Sequence, residues 1–259
     1  MIAITDVEQI KEWFDQYVDR FFTGYEAYDS ALSLKKIHTE NVVLNSLELA
    51  EAMNLNRGAR RLVDVMATLH DVGRFEQYAR YGTYSDLKSE DHARLGLEIV
   101  EKNNVLHRLP YREREMVRMA IAYHSAAVLP SLHDLESILY LKLLRDADKI
   151  DILRVVTDHY DGLNVVEAIE IELPDRPDVS DRVVESLKAG RIVKIQDVKT
   201  LSDFKLLQIS WVFDLNFKRS FEIINERRYL ERLSSGLPPT EPVLKAVDAA
   251  KTRLRQCSA

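Results

Sequence analysis

Leu69-His70-Asp71-Val72-Gly73-Arg74 is the stretch on which the reading of this chain turns. Upstream of it, Val63, Met66, Ala67 and His70 recur at three- and four-residue spacing, the period of a helix with one apolar face. That helix delivers an imidazole and a neighbouring carboxylate at its inner end. A buried carboxylate is costly unless it is paired or bound to a cation, so the stretch raises the question of what neutralises Asp71. Taken alone, it also admits a plainer account: a helix-end pair with Gly73 as the stop.

The surrounding sequence is built to be helical. Eight glycines and seven prolines in 259 residues leave long uninterrupted segments, most of them with apolar residues at helical spacing. A first amphipathic helix is predicted from about Val7 to Phe22 and a second from about Ser30 to Met53, with Ala31, Leu34, His38 and Val42 on one stripe. The third, from about Gly58 to His70, carries the opening motif. The aromatic and basic run from Arg74 to Lys88 reads as a loop with short helical pieces, and Ser89 as the cap of a helix that groups His92, Leu95, Gly96 and Ile99. Pro110 opens the next helix, with Val117, Ala120, Ile121 and His124 inward. A long helix from about Leu132 to His159 places Asp148 among Leu141, Leu144, Ile152 and Val155.

Past Gly162 the pattern changes. Segment 163–200 admits a short helix and a hairpin; a broad apolar helix is expected from about Ser202 to Leu233, and a final one over residues 241–255. The expected organisation is an all-α core over residues 1–162 with a mainly helical extension, residues 163–259, packed on the same domain. The single cysteine, Cys257, excludes a disulfide framework and a cysteine-rich zinc site. The net charge of -6 gives no general attraction to a nucleic-acid polymer, although small anionic substrates stay open. With no apolar run of membrane length and no signal-like start, a cytoplasmic protein is expected.

Six residues share a property that no one of them reveals. His38, His70, His92 and His124 each fall on the apolar stripe of a different helix, Asp148 does too, and Asp71 adjoins His70. One such histidine is usually a hydrogen-bonded core residue. Four on separate helices, with two acids, suit a metal site in a bundle core. His107, His133 and His159 have polar neighbours and read as surface residues. Phe75, Tyr78, Tyr81 and Tyr84 read either as packing or as the wall of a nucleobase pocket, and the helix around Trp211 as core or as a homodimer interface.

The ordered set His38, His70-Asp71 and Asp148, in the contexts LHDVG and DADKID, resembles the HD-domain superfamily of metal-dependent phosphohydrolases over roughly residues 30–160. His92 and His124 resemble the two additional histidines of its binuclear branches. The resemblance implies an HD-type helical bundle in which His38, His70, Asp71 and Asp148 surround one divalent ion and Asp71 bridges to a second held by His92 and His124. Asp146 competes with Asp148 as the closing ligand; helical spacing favours Asp148.

Such a centre activates water and neutralises charge on a phosphoryl group, which implies hydrolysis of a small phosphorylated substrate, a nucleotide foremost, with His70 and Asp71 at the catalytic centre. Arg74 and Lys88 are candidates for holding the substrate phosphate, and Lys149 and Asp151 for supporting the ligands. Two other functions use the same ligand set: a mixed-valent di-iron oxygenase, and a module that binds metal and nucleotide without turnover. No GYP tripeptide is present and Arg74 follows Gly73, which argues against the cyclic-dinucleotide branch.

Overall fold

Gly73 does not stop a helix. In the computed structural model, which describes residues 2–129, 134–163 and 173–258, it is the first residue of a new one. The helices in chain order are α1 (Ile4–Asp19), α2 (Glu26–Ala52), α3 (Arg57–Leu69), α4 (Gly73–Tyr81), α5 (His92–Lys102), α6 (Tyr111–Tyr123) and α7 (Leu135–Tyr160). They are followed by α8 (Asp181–Lys188), α9 (Leu201–Ser210), α10 (Lys218–Glu226), α11 (Tyr229–Ser235) and α12 (Glu241–Ser258). The described residues contain no strand, so the chain is all-α as its periodicity predicts. They form two compact units, Met1–Asp151 and Ile152–Ala259, and the division falls within α7.

The first unit is organised around α3. Asn56 caps it by accepting a hydrogen bond from the Ala59 amide at 3.0 Å, and the helix buries Leu62, Val63, Val65, Met66 and Leu69 against α1, α2 and α6. His70, Asp71 and Val72 then form a tight turn, held by the Val72 amide on the Leu69 carbonyl and the Arg74 amide on the Asp71 carbonyl. The turn feeds directly into α4, which packs on α5.

The sequence suggests a loop where α4 stands because the inner face of that helix is partly polar and partly absent. Gly73 lies against the backbone of α5, and the fully buried Gln77 finds its partners in Asp86, Ser89 and Glu90. Neither residue contributes to an apolar stripe. The cap of α5 is likewise not Ser89 but Asp91, which accepts from the Arg94 amide at 2.9 Å. Ser89 instead donates its hydroxyl to the Ser85 carbonyl. Helix α2 starts at Glu26, ahead of Ser30, because the Asp29 carboxylate collects the amides of Thr23 and Gly24 and closes the preceding turn.

In the second unit the long helix expected over 202–233 is broken. Helix α9 tightens into a short turn at Trp211–Asp214, and α10 and α11 are separated at Arg228, whose φ of 55° lies in the left-handed region. Short pieces bury more than one face of an apolar segment, which one straight helix does not. Asp203 fixes the start of α9 by accepting from the Ser180 and Lys199 amides and the Ser180 hydroxyl. Helix α12 lays Val243, Ala246, Val247, Ala250 and Leu254 against α8 and α10. Of the segment read as a helix and a hairpin, 164–172 lies outside the described residues; 173–200 holds α8 and a three-residue turn.

Candidate metal centre

Four helices and one turn bring the six residues to one place. His38 comes from the middle of α2, His70 and Asp71 from the turn after α3, His92 from the first turn of α5, His124 from the end of α6 and Asp148 from α7. Asp71 stands between two groups. Its Oδ2 is 3.7 Å from Nε2 of both His38 and His70, and its Oδ1 is 3.4 Å from Nε2 of both His92 and His124. Asp148 joins the first group, with Oδ1 at 3.1 Å from His38 Nε2 and 3.9 Å from His70 Nε2. Asp146, the competing acid, is fully buried on the same helix, so burial alone does not separate the two.

Hydrogen bonds on the far side of each ring set its tautomer. Nδ1 of His70 donates to the Ala67 carbonyl at 2.7 Å and Nδ1 of His124 to the Ile121 carbonyl at 2.9 Å; a carbonyl accepts only, so the proton is on Nδ1. His38 and His92 donate in the same way to the carboxylates of Asp151 and Asp86, each at 2.7 Å. A ring whose Nδ1 proton is used in this way turns Nε2, the atom with the ligating lone pair, toward Asp71. His92 and His124 bring these lone pairs to 3.1 Å of each other, and Nε2 of His38 and of His70 is buried without a hydrogen-bond partner.

Acceptors this close repel unless a positive charge lies among them. Both groups, His38–His70–Asp71 and Asp71–His92–His124, hold ligand atoms within 4.8 Å of one another, and all five residues are buried. Imidazole and carboxylate donors in this arrangement fit a divalent metal.

The electrostatics agree. Burial drives the His70 pKa down to about 4 and lowers that of His92, which favours the uncharged ring that a metal site needs. For His38, burial and the Lys35 ammonium oppose a charge, but hydrogen bonding and attraction from Asp148 and Asp151 outweigh them and raise its pKa above the ordinary imidazole value. Burial works against the charge on Asp71 too, yet Lys35 and the surrounding groups hold it well below the usual carboxylate range.

Three supporting residues lie outside the set read from the sequence. Lys35, one turn before His38, places Nζ 2.7 Å from Asp71 Oδ2; a lysine on the inner face of α2 was its signal. Asp86 lies in a polar loop and has none. Arg145, buried on α7, donates from Nη1 to the His124 and Ala126 carbonyls at 2.8 and 2.6 Å and so fixes the chain beyond α6.

Asp151 and Arg74 both lie beside the cluster. Asp151 holds His38, and Arg74 Nε is 3.5 Å from Asp71 Oδ1 while its Nη1 binds Gln77, the Tyr84 carbonyl and Asp86. Lys88 is exposed on the turn before α5, and Lys149 is half-buried on α7. Three of the four aromatics pack, Phe75 buried edge-on to Phe14 and Tyr84 stacked on Tyr78 at 4.7 Å, while Tyr81 is exposed. His107 is exposed, His159 is half-buried, and His133 lies outside the described residues.

Residues 36–153 match the family described as HD domain. No curated protein and no solved structure matches the chain. Among the described residues no helix is long and apolar enough to cross a membrane.

Proposed function

We propose, on the premise that residues 36–153 form an HD domain, a family that includes metal-dependent phosphohydrolases, that this protein hydrolyses a phosphoester of a small molecule, with nucleotides the first class to test. The observation that carries the proposal is the meeting of the His92 and His124 lone pairs at 3.1 Å beside Asp71, an arrangement of acceptors that calls for a cation. Two ions would be held: one by His38, His70, Asp71 and Asp148, the other by Asp71, His92 and His124. Divalent ions bound there would bring the pKa of coordinated water toward neutrality and offset negative charge developing on a phosphoryl group.

The chain's own residues set the conditions for this chemistry. Asp151 and the carbonyls of Ala67 and Ile121 keep His38, His70 and His124 in the ligating tautomer. Lys35, with its side chain 18% exposed, supplies a positive charge beside Asp71 that favours a phosphate oxygen over water. Phosphate release from a nucleoside monophosphate panel, with elemental analysis of the protein, tests the proposal on wild type and Asp71→Asn. Wild type should carry metal and turn over at least one substrate, and Asp71→Asn should lose more than about 100-fold, since even residues supporting a ligand are worth about 10–100-fold. Equal turnover by both proteins would defeat the assignment.

A further inference from the structure

Two of the four histidines lean on carboxylates, and the two carboxylates have very different surroundings. Asp151, behind His38, is 1% exposed and lies on a helix of 26 residues. Asp86, behind His92, has a side chain 39% exposed and lies on a three-residue turn, Asp86–Lys88, in the loop joining α4 to α5. What holds Asp86 in place is a strut from α4. Its Oδ1 accepts from Arg74 Nη1 at 2.7 Å and from Gln77 Nε2 at 2.8 Å, while its Oδ2 accepts from His92 Nδ1 at 2.7 Å. The same two α4 side chains tie down the rest of the loop: Arg74 on the Tyr84 carbonyl, Gln77 on Ser89 Oγ and the Glu90 carbonyl.

We propose that Asp86, held by Arg74 and Gln77, is the positioning residue for the Asp71–His92–His124 site, so that retention of the ion there depends on the order of the 84–90 loop while the His38–His70–Asp71–Asp148 site does not. The proposal rests on the metal-centre reading above. With Asp86 in place His92 has its proton on Nδ1 and offers Nε2. Without it, the ring is free to take the other tautomer, which puts a proton where the ligating lone pair should be. Arg74 then acts through Asp86 in addition to any contact with substrate. The His92 arm is the weaker of the two because its anchor is a half-exposed carboxylate on a short turn.

Titration of metal-free wild type, Asp86→Asn and Asp151→Asn with Co(II), read by calorimetry and by the visible spectrum, tests the assignment. The expected result is two ions in wild type, with one bound at least 10-fold more weakly in Asp86→Asn and the other unchanged. In Asp151→Asn the unaffected ion should be the other one. Because Asp86 is half-exposed the variant should fold, and the metal-free protein gives a second readout. Long-range 15N–1H spectra should show His92 as the Nδ1–H tautomer in wild type and as a mixture in Asp86→Asn. Wild type that takes up no metal sinks the metal-centre reading, and this proposal with it. Wild type that binds two ions, with both affinities and the His92 tautomer unchanged in Asp86→Asn, overturns this proposal alone.

Discussion

Replacing Gly73 by alanine should do more damage than any other one-carbon change in the first unit. A Cβ built on Gly73 would lie 2.1 Å from the His92 carbonyl oxygen, 2.7 Å from the Gly96 amide nitrogen and 3.1 Å from the Gly96 Cα. All three are backbone atoms of α5, so no side chain can rotate away, and α5 must withdraw by about 1 Å at its first turn. Overpacking of this kind costs about 1–3 kcal/mol, and with no rotamer to absorb it the upper end applies. At about 2–4 °C per kcal/mol for a chain of this size, the melting temperature should fall by about 6–12 °C.

The site should suffer with the fold. His92 is the first residue of α5, and its Nε2 is 3.1 Å from His124 Nε2 and 3.4 Å from Asp71 Oδ1. A displacement of about 1 Å exceeds the tolerance of about 0.2 Å on a metal–ligand distance, so the ion between them should be lost. Gly96→Ala is the control. Its added Cβ meets Ile121 Cγ2 at 3.3 Å, Gly73 N at 3.4 Å and Val72 Cγ1 at 3.5 Å, so the neighbours need give by only about a few tenths of an ångström, and alanine gains about 1 kcal/mol of helix propensity within α5. Calorimetric melts of metal-free protein, paired with cobalt stoichiometry, check both variants. A Gly73→Ala protein that melts with wild type and binds the same number of ions would refute the argument from backbone contact.

Two further outcomes follow from buried polar groups. His70 has a folded pKa of about 4 against the ordinary imidazole value of 6.5, so between these values the unfolded chain binds a proton that the folded chain refuses. Its contribution, on the order of 3 kcal/mol, is complete above pH 6.5 and is lost as the pH falls toward 4. Melts of metal-free protein across this window should show wild type losing stability relative to His70→Gln as pH falls, and parallel curves would contradict the assignment. In the second unit, Asp203→Ala leaves the amides of Ser180 and Lys199 and the Ser180 hydroxyl without their acceptor, which should cost about 3 kcal/mol. Urea unfolding measures it, and a loss under about 1 kcal/mol would mean that water replaces the carboxylate.

That the chain is helical, and which residues could meet, is legible in the spacing of its apolar residues. Apolar spacing is a local property, so α1, α3, α6 and most of α7 can be read directly, and so can the four histidines and Asp148 on inner faces, with Asp71 beside His70. Periodicity failed where an inner face is not apolar. Gly73 and Gln77 face α5 and its preceding loop, so α4 carries no stripe to read, and the broad apolar run after Ser202 hides the breaks at Trp211–Asp214 and Arg228. How these side chains are presented to one another is set by packing between helices. That Asp71 stands between two pairs of imidazoles, that each ring has its proton on Nδ1, and that Lys35, Asp86 and Arg145 support the cluster all depend on groups distant in sequence. The physical reason is that a helix fixes which side a residue is on within one turn of chain, whereas hydrogen-bond partners and close approaches exist only once separate helices have packed.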